Sequence, residues 1–493
     1  MKNLRSNAAY NVAGWLLPTL IFLALTPVMI NRLGLEAFGV VSLIQVVTGY
    51  MNVLNFGFSE AITKQVASSF EKDKPQASRV VWVGLQLFAG FGALGAVIIF
   101  LSAPWLAYDL LKVQPGLQAD TAVALRIGAA VFLFQMLAEF YRGTSIGCQR
   151  FDVPNLSRIL RISLSAVFIL LALHLRAGIP GVMWGTLAGL VAGLVVNALW
   201  MERILPLRRA IGDLRAIRRE VFHYSKHVFT MRLAGLLSSN LGQLFLGTLT
   251  SASSVALYQV PVRAAEAGSV LLNRVLQVFF PGFAAMDLAT ERDRIRSIFQ
   301  SAFTLQVLFT TPFFLCMVLE GPALLGLWIN PEFARDAAGI ILVVALAYWI
   351  SSLTNLPTFL ALSFNAPDLL SKSSIARMLV TVIFGYPLIQ RFGLQGAAWL
   401  LLLGEFQAVW VIHQAVARTL GRDLVWPTFR PMLIHAVMAT VLFLAYEWLW
   451  RPSVWFTPWL VVVVPVVHVG MALLLGATTA ADRQRLVKLV MRH

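Results

Sequence analysis

Apolar positions in this chain neither alternate nor recur every third or fourth residue. They run on, as in AGWLLPTLIFLALTPVMI (13–30), VVWVGLQLFAGFGALGAVIIFL (80–101) and WLVVVVPVVHVGMALLLGA (459–477). A helix needs about 20 such residues to cross a hydrocarbon core, whereas a membrane barrel strand would alternate. Polar joints divide the chain into roughly fourteen such runs, at 9–31, 37–67, 79–101, 120–147, 154–174, 180–202, 224–249, 254–283, 297–319, 336–362, 368–389, 395–417, 429–448 and 456–477. The pattern predicts an all-α polytopic membrane protein with about 14 transmembrane helices.

Composition agrees. Of 493 residues, 58% are hydrophobic and only 13% charged, with mean hydropathy +0.76; soluble domains carry about 25% charged residues. The basic, then apolar N-terminus resembles a signal peptide, but no small-x-small cleavage site follows and Val28-Met29-Ile30 extends the run. It reads as a retained first helix. The two cysteines, Cys148 and Cys316, suggest neither a disulfide framework nor a metal site.

The net charge of +16 would suggest nucleic acid in a soluble protein. Its distribution points to topology instead. Among 39 Lys and Arg, Arg32, Lys112, Arg126, Arg176, Arg335, Arg391 and Arg451 fall at or near one side, and Arg232, Arg263 and Arg274 inside spans. The remainder gather on the other side, most densely in 203–226 and the tail. By the positive-inside rule that side is cytoplasmic, and so are both termini. Membrane lipids are then the expected partners of the basic loops, and no nucleic acid is expected.

The chain also repeats itself. RAGIPGVMWG from Arg176 and RFGLQGAAWL from Arg391 share R-x-G-x-x-G-x-x-W. FDVPNL (151–156) matches FNAPDL (364–369), and LSAPWL (101–106) matches LEGPAL (319–324), at offsets of 215, 213 and 218 residues. The repeat unit holds six spans, an even number, so the halves are expected to run parallel. The expected organisation is a six-helix bundle at 1–202, a basic cytoplasmic linker at 203–223, a second six-helix bundle at 224–418, and an added helix pair with a basic tail at 419–493. An amphipathic helix lying on the inner membrane surface is expected around 201–227, with Leu207, Ile211, Leu214 and Ile217 on one face. Two such halves usually form an alternating-access carrier, an argument from fold analogy.

Ionisable groups at mid-bilayer cost about 2.5–3.5 kcal/mol each on insertion scales, so each needs a reason. Span 8 places Arg263, Glu266 and Arg274 near one helical face, with Gly268 as a soft point. Glu266 is expected to pair with Arg263, leaving Arg274 as the freer cation. Span 7 adds Arg232, Asn240 and Gln243. Span 2 ends with Glu60 and Lys64 after Gly57, and span 4 carries Arg126 near the outside and Glu139 and Arg142 toward the inside. An arginine facing a cavity suits an anionic cargo, because its fork binds phosphate at two points. The expected substrate site is therefore Arg263, Arg274, Arg232, Glu266, Arg126, Glu60, Lys64, Asn240 and Gln243, with Gly57 and Gly268 as hinges.

Other signals lead nowhere chemical. GTSIG (143–147) fits a hydrolase pattern but follows no strand. No phosphate loop, H-E-x-x-H or Cys-x-x-Cys occurs. His413, His435 and His468 read as lone histidines on apolar helices. No catalytic residue, metal or cofactor is expected.

RLGLEAFG after span 1, NFGFSEAIT ending span 2, ALYQVPVRAAE and FFPGFA in span 8, GPALLGLWINPEF after span 9 and GIPGVMWGTLAG entering span 6 resemble bacterial polysaccharide transporters. These are the O-antigen and exopolysaccharide flippases of the multidrug/oligosaccharidyl-lipid/polysaccharide exporter superfamily. The resemblance covers essentially the whole chain. It implies two bundles in a V around a cavity lined by spans 1, 2, 7 and 8. The implied cargo is a polyprenyl-pyrophosphate-linked oligosaccharide crossing from the inner to the outer leaflet of a bacterial inner membrane, with a glycan polymerase and chain-length regulator as partners. Many relatives carry a basic residue near the position of Glu60. Within the superfamily a drug/cation antiporter would want unpaired acids deep in spans 1 or 7, which this chain lacks, whereas a lipid-linked peptidoglycan-precursor flippase shares the layout. A membrane polymerase or ligase would want a larger external loop than 102–119.

Overall fold

A computed structural model describes residues 20–51, 55–111, 113–150, 152–205, 214–276, 283, 286–288, 290–364, 366, 368–449 and 460–474. Fifteen helices and no strand occur among them. They are α1 (Leu20–Leu33), α2 (Leu35–Met51), α3 (Phe58–Ser69), α4 (Lys74–Trp105), α5 (Pro115–Gly147), α6 (Asp152–His174), α7 (Gly178–Ile204), α8 (Leu214–Leu249) and α9 (Ala252–Leu276). Then come α10 (Arg292–Trp328), α11 (Pro331–Leu353), α12 (Asn355–Ser363), α13 (Asp368–Thr419), α14 (Val425–Leu449) and α15 (Leu460–Leu474). A π-helical turn, Leu106–Leu110, prolongs α4.

Eight helical stretches are long and apolar enough to cross a membrane; the charge-bearing α8 and α9 are not among these eight. The chain is a multi-pass membrane protein. One of the eight, α13, contains two of the expected spans, because its two helical arms meet at Gly393 (φ 54, ψ −126). By packing, the chain divides into two compact units, Met1–Ala256 and Leu257–His493.

In the first unit, the RLGLEAFG motif acquires a physical meaning. Gly34 takes φ +89 and separates α1 from α2. Glu36 then accepts a hydrogen bond from Ser253 N (3.0 Å) at the start of α9, a carboxylate meeting the positive end of a helix dipole. Gly39 lies so close to Ala252 that an added Cβ would stand 1.8 Å from its carbonyl oxygen. Between α2 and α3 the backbone turns through Phe56 (φ 47) and Gly57 (φ 78). The helix α4 opens on Asp73, whose side chain accepts from Gln76 N (3.0 Å), with a proline in the first turn.

The repeated R-x-G-x-x-G turn does the same work twice. Gly178 (φ 60) and Gly393 (φ 54) both adopt the left-handed conformation. Three residues on, Gly181 faces the Ala172 side chain (3.0 Å from an added Cβ), and Gly396 faces the Leu388 carbonyl at 2.1 Å. Along α7 the close approach continues. Cβ atoms on Gly185, Gly189 and Gly193 would stand 2.8, 2.4 and 2.8 Å from backbone atoms of Ile169, Ser165 and Ser157 on α6. Ser157 Oγ donates to the Gly193 carbonyl at 2.6 Å. This small-residue seam is how apolar helices associate where water supplies no hydrophobic drive.

In the second unit, a core of Phe299, Phe303, Leu353, Leu356, Ile412 and Val416 joins α10 through α13. Arg296 Nε donates to the Leu420 carbonyl (2.8 Å), placing a cation at the C-terminal end of α13. Asn330 caps α11 by accepting from Phe333 N (2.8 Å), with Pro331 just inside the helix.

One expectation changes. Of the stretch around 201–227, residues 214–227 form the first turns of α8, and the apolar face described there meets protein. Ile217 and Val221, in the first turns of α8, are buried in the unit's own core with Phe58, Val80 and Leu205. Phe222 meets Phe58 edge-on at 5.3 Å, and Arg218 Nη2 donates to Gln86 Oε1 (2.7 Å). An apolar stripe is equally served by lipid or by a neighbouring helix, and here α3 and α4 supply the neighbour. Leu207 and Ile211 lie outside the described residues.

The α6–α7 seam predicts a contrast between glycines. Gly189→Leu has backbone on its far side and should cost about 1–3 kcal/mol or more, seen as a lower Tm and reduced folded yield in detergent. Gly90→Leu, with nothing within 4 Å of its Cβ, should leave both unchanged.

Candidate functional site

The Arg263–Glu266 pair expected on span 8 is present on α9. Arg263 Nη1 lies 3.4 Å from Glu266 Oε2, and the two side chains are 48% and 47% exposed. A one-turn spacing on a helix sets this contact, and the half-exposure keeps both groups accessible. Arg274 continues α9, while Arg232 and Asn240 lie on α8; the side chains of these three are outside the described residues. Gln243, on α8, is buried.

The second unit holds a deeper ion pair that the sequence reading passed over. Arg377 and Glu405 stand on the two arms of α13, Nη1 to Oε1 2.7 Å, with side-chain exposures of 28% and 4%. Ser351 of α11 also hydrogen-bonds Glu405. Tyr348 lies within electrostatic reach of Glu266, Tyr258, Arg377 and Glu405. These groups form a polar cluster from the half-exposed face of α9 to the interior of α13. A signal existed: Arg377 and Glu405 are 14 residues before and after Arg391, the tip of the predicted hairpin. In an antiparallel pair, positions equidistant from the turn meet.

In the first unit, Glu60 and Lys64 sit on α3, which packs against the C-terminal residues of α5. Thr63 Oγ1 donates to the Gly143 carbonyl (2.9 Å), and Arg142 Nη2 donates to Ser59 Oγ (3.3 Å). Arg142 also grips Glu139 through Nε (2.7 Å) and Nη2, and feels the Glu60 carboxylate. Lys64 is exposed. Arg126 is placed elsewhere: it is exposed on α5 over the Phe100 ring at 5.5 Å. Sixteen residues of α5 separate it from Arg142, about 24 Å at 1.5 Å per residue. The structure therefore does not bring Arg126 together with Glu60 and Lys64.

Of the two expected hinges, Gly57 lies at the break between α2 and α3. Gly268 is helical within α9 and buried, and an added Cβ would stand 2.1 Å from the Phe313 ring of α10. Its smallness has a packing reason. His435 and His468, read as lone histidines, meet: Nδ1 of one lies 2.7 Å from Nε2 of the other, joining α14 to α15. His413 is exposed. Among the described residues no group of three or more His, Cys, Asp or Glu could hold a metal.

Two outcomes follow. Arg377→Ala strands a carboxylate in the interior and should cost about 3–5 kcal/mol, whereas Arg377→Met with Glu405→Gln should recover most of the stability; Tm in detergent distinguishes them. Cys148 is buried in the turn between α5 and α6, and burial pushes its thiol up to about 11. Its thiolate, the reactive form, is scarce at neutral pH and grows as pH rises toward that value. Labelling by a soluble maleimide at pH 7 should be slow in the folded protein and fast after unfolding.

Comparison with known proteins places these features. A family model described as "Polysaccharide biosynthesis protein" matches residues 4–287. A "Putative O-antigen transporter" of Shigella flexneri is 18% identical over 402 residues, covering 80% of this chain and 92% of the relative. The "Probable low-salt glycan biosynthesis flippase Agl15" of Haloferax volcanii is 22% identical over 372 residues, covering 75% and 74%. A solved structure titled "Lipid II flippase MurJ, inward closed conformation" superposes with TM-score 0.66 at 10% identity, covering 94% of this chain and 97% of that one. The likeness to that structure carries the helical transporter fold, and the family match spans more than half the sequence. This chain belongs to the polysaccharide biosynthesis protein family of membrane proteins.

Proposed function

We propose that this protein is a flippase that moves a polyprenyl-pyrophosphate-linked oligosaccharide, an O-antigen or exopolysaccharide repeat unit, from the inner to the outer leaflet of a bacterial inner membrane by alternating access. The observation that carries the reading is the half-exposed Arg263–Glu266 pair on a helix of a polysaccharide biosynthesis family member. The related O-antigen transporter and glycan flippase support the cargo class. Charges facing lipid are costly, so on a helix within the bilayer a half-exposed pair would suit a polar cavity.

Arg263, Arg274 and Arg232 would hold the pyrophosphate, the bidentate arginine fork matching its oxygens. Glu266 would orient Arg263 and take up or release a proton as the two states exchange. Gln243 and Asn240 would meet sugar hydroxyls, and the break at Gly57 would give the first bundle a place to bend. Gly268 would let α9 shift against Phe313. Arg126, Glu60 and Lys64 would guide the headgroup near the two membrane faces. Both termini would be cytoplasmic, consistent with the Lys and Arg distribution. A glycan polymerase and a chain-length regulator would take over the cargo at the outer leaflet.

Deleting the gene in its host should trap lipid-linked oligosaccharide in the cytoplasmic leaflet and remove the surface glycan. Complementation with Arg263→Ala or Arg274→Ala, at wild-type expression, should restore less than about a tenth of the surface glycan, a loss of at least 1.4 kcal/mol in the limiting step. Wild-type export by both variants would remove these residues from the site. Normal surface glycan after deletion, with no trapped intermediate, would favour a drug carrier.

A further inference from the structure

A second charged site lies wholly within the first unit, apart from α8 and α9. Residues of α5, α6 and α7 enclose a pocket of about 360 Å³ lined by Gln135, Glu139, Arg142, Arg158, Arg161 and Asn197, among others. That size is in the range of small-ligand sites. We propose that this pocket binds the phosphate or diphosphate group of an anionic lipid.

The argument begins with charge. Three arginines and one acid are among the lining residues. Glu139 is already engaged by Arg142 through both its oxygens. Arg158 and Arg161 stand one turn apart on α6 and face the same space, and they repel one another. Among the described residues neither makes a hydrogen bond or an ion pair. Arg161 does feel the Glu139 carboxylate, which Arg142 already holds, and Arg158 is exposed at the pocket's edge, so three guanidinium groups share one acid and the pocket keeps a surplus of positive charge. A ligand with two or more negative charges offsets that surplus, and planar guanidinium groups favour phosphate.

The neutral lining suits the same ligand. Asn197 is buried, and its side-chain carbonyl accepts from Ser145 Oγ (3.1 Å), leaving its amide N–H groups as donors. The pocket also includes Pro154 and Asn155 in the first turn of α6, where backbone N–H groups and the helix dipole favour an anion. Access favours a lipid over a free anion. The helix α6 is the least buried of the eight apolar stretches, with 11% of its apolar window covered. Leu156, Val167 and Leu171 on it are exposed. Acyl or prenyl chains can lie along that surface while the headgroup enters beside Arg158. Arg161 sits nine residues into α6, about 14 Å along the helix, so the headgroup would be drawn below the usual phosphate level.

The test uses the full chain in a neutral detergent and does not depend on transport, so its failure and that of the flippase reading are separable. Phosphatidylglycerol, a polyprenyl diphosphate, inorganic pyrophosphate and, as a neutral control, phosphatidylcholine are titrated while Tm is followed. At least one anion should raise Tm, with apparent affinity at least tenfold weaker in an Arg158→Gln/Arg161→Gln variant. Binding should be largely kept in Arg158→Lys/Arg161→Lys and unaffected by Arg203→Gln, an exposed cation outside the pocket. As a readout needing no variant, anionic lipid should shield Arg158 and Arg161 of the native chain from phenylglyoxal, by mass spectrometry. Equal responses to phosphatidylglycerol and polyprenyl diphosphate assign a bulk-lipid site, and a response to the diphosphate lipid alone assigns the carrier lipid. Pyrophosphate acting as well as either lipid would overturn the lipid as source. No anion response that depends on Arg158 and Arg161, with no shielding, would overturn the site.

Discussion

Hydrocarbon offers no hydrogen-bond partner, so each spanning segment must satisfy its own backbone. This constraint makes every described element of the chain helical. It also governs the small polar side chains. Thr26, Ser42, Thr48 and Thr121 each turn back to the carbonyl four residues earlier. With those groups satisfied locally and no hydrophobic drive between helices in lipid, association rests on close packing. Backbone therefore meets backbone where a glycine permits it: Gly39 on Ala252, Gly189 on Ser165, Gly396 on Leu388.

Charge obeys the same constraint with a different remedy. Three ion pairs on these helices differ chiefly in exposure. Arg377–Glu405 is nearly closed off, with the carboxylate side chain 4% exposed, and ties the two arms of α13 together. Arg263–Glu266, at 48% and 47%, is half-exposed on both sides. Arg142–Glu139, at 42% and 27%, lies between these cases and leaves Arg158 and Arg161 with a surplus of positive charge. Burying a pair fixes geometry at an energetic cost; half-burying it keeps it available. The same residue types thus occur both as a closed brace and as an accessible pair.

Much of this was legible in the chain. The apolar runs place the helices, the one-turn spacing places Glu266 beside Arg263, and the repeated glycines place two left-handed turns. The duplicated hairpin also held the Arg377–Glu405 contact, since residues equidistant from Arg391 must face one another. Other features were not legible. Nothing local separates an apolar stripe that faces lipid from one that faces protein, so Ile217, expected on the membrane-facing stripe, is instead buried in the core beside Val221. Likewise, nothing local aligns His435 with His468, 33 residues apart on separate helices. The separation of Arg126 from Glu60 and Lys64 depends on where α3 meets α5.

By itself the sequence determined the class of structure, because length, hydropathy and backbone chemistry leave a membrane helix no alternative. It also determined contacts within one helix or across one tight turn, where spacing sets geometry. Only the tertiary structure decided which charges are buried, which are half-exposed and which crowd around a shared acid. Those properties depend on what a neighbouring helix brings to the same place. The pairing of Arg142 with Glu139 is a local matter of three residues; the pocket in which Arg142, Arg158 and Arg161 share that one acid exists only once α5, α6 and α7 have met.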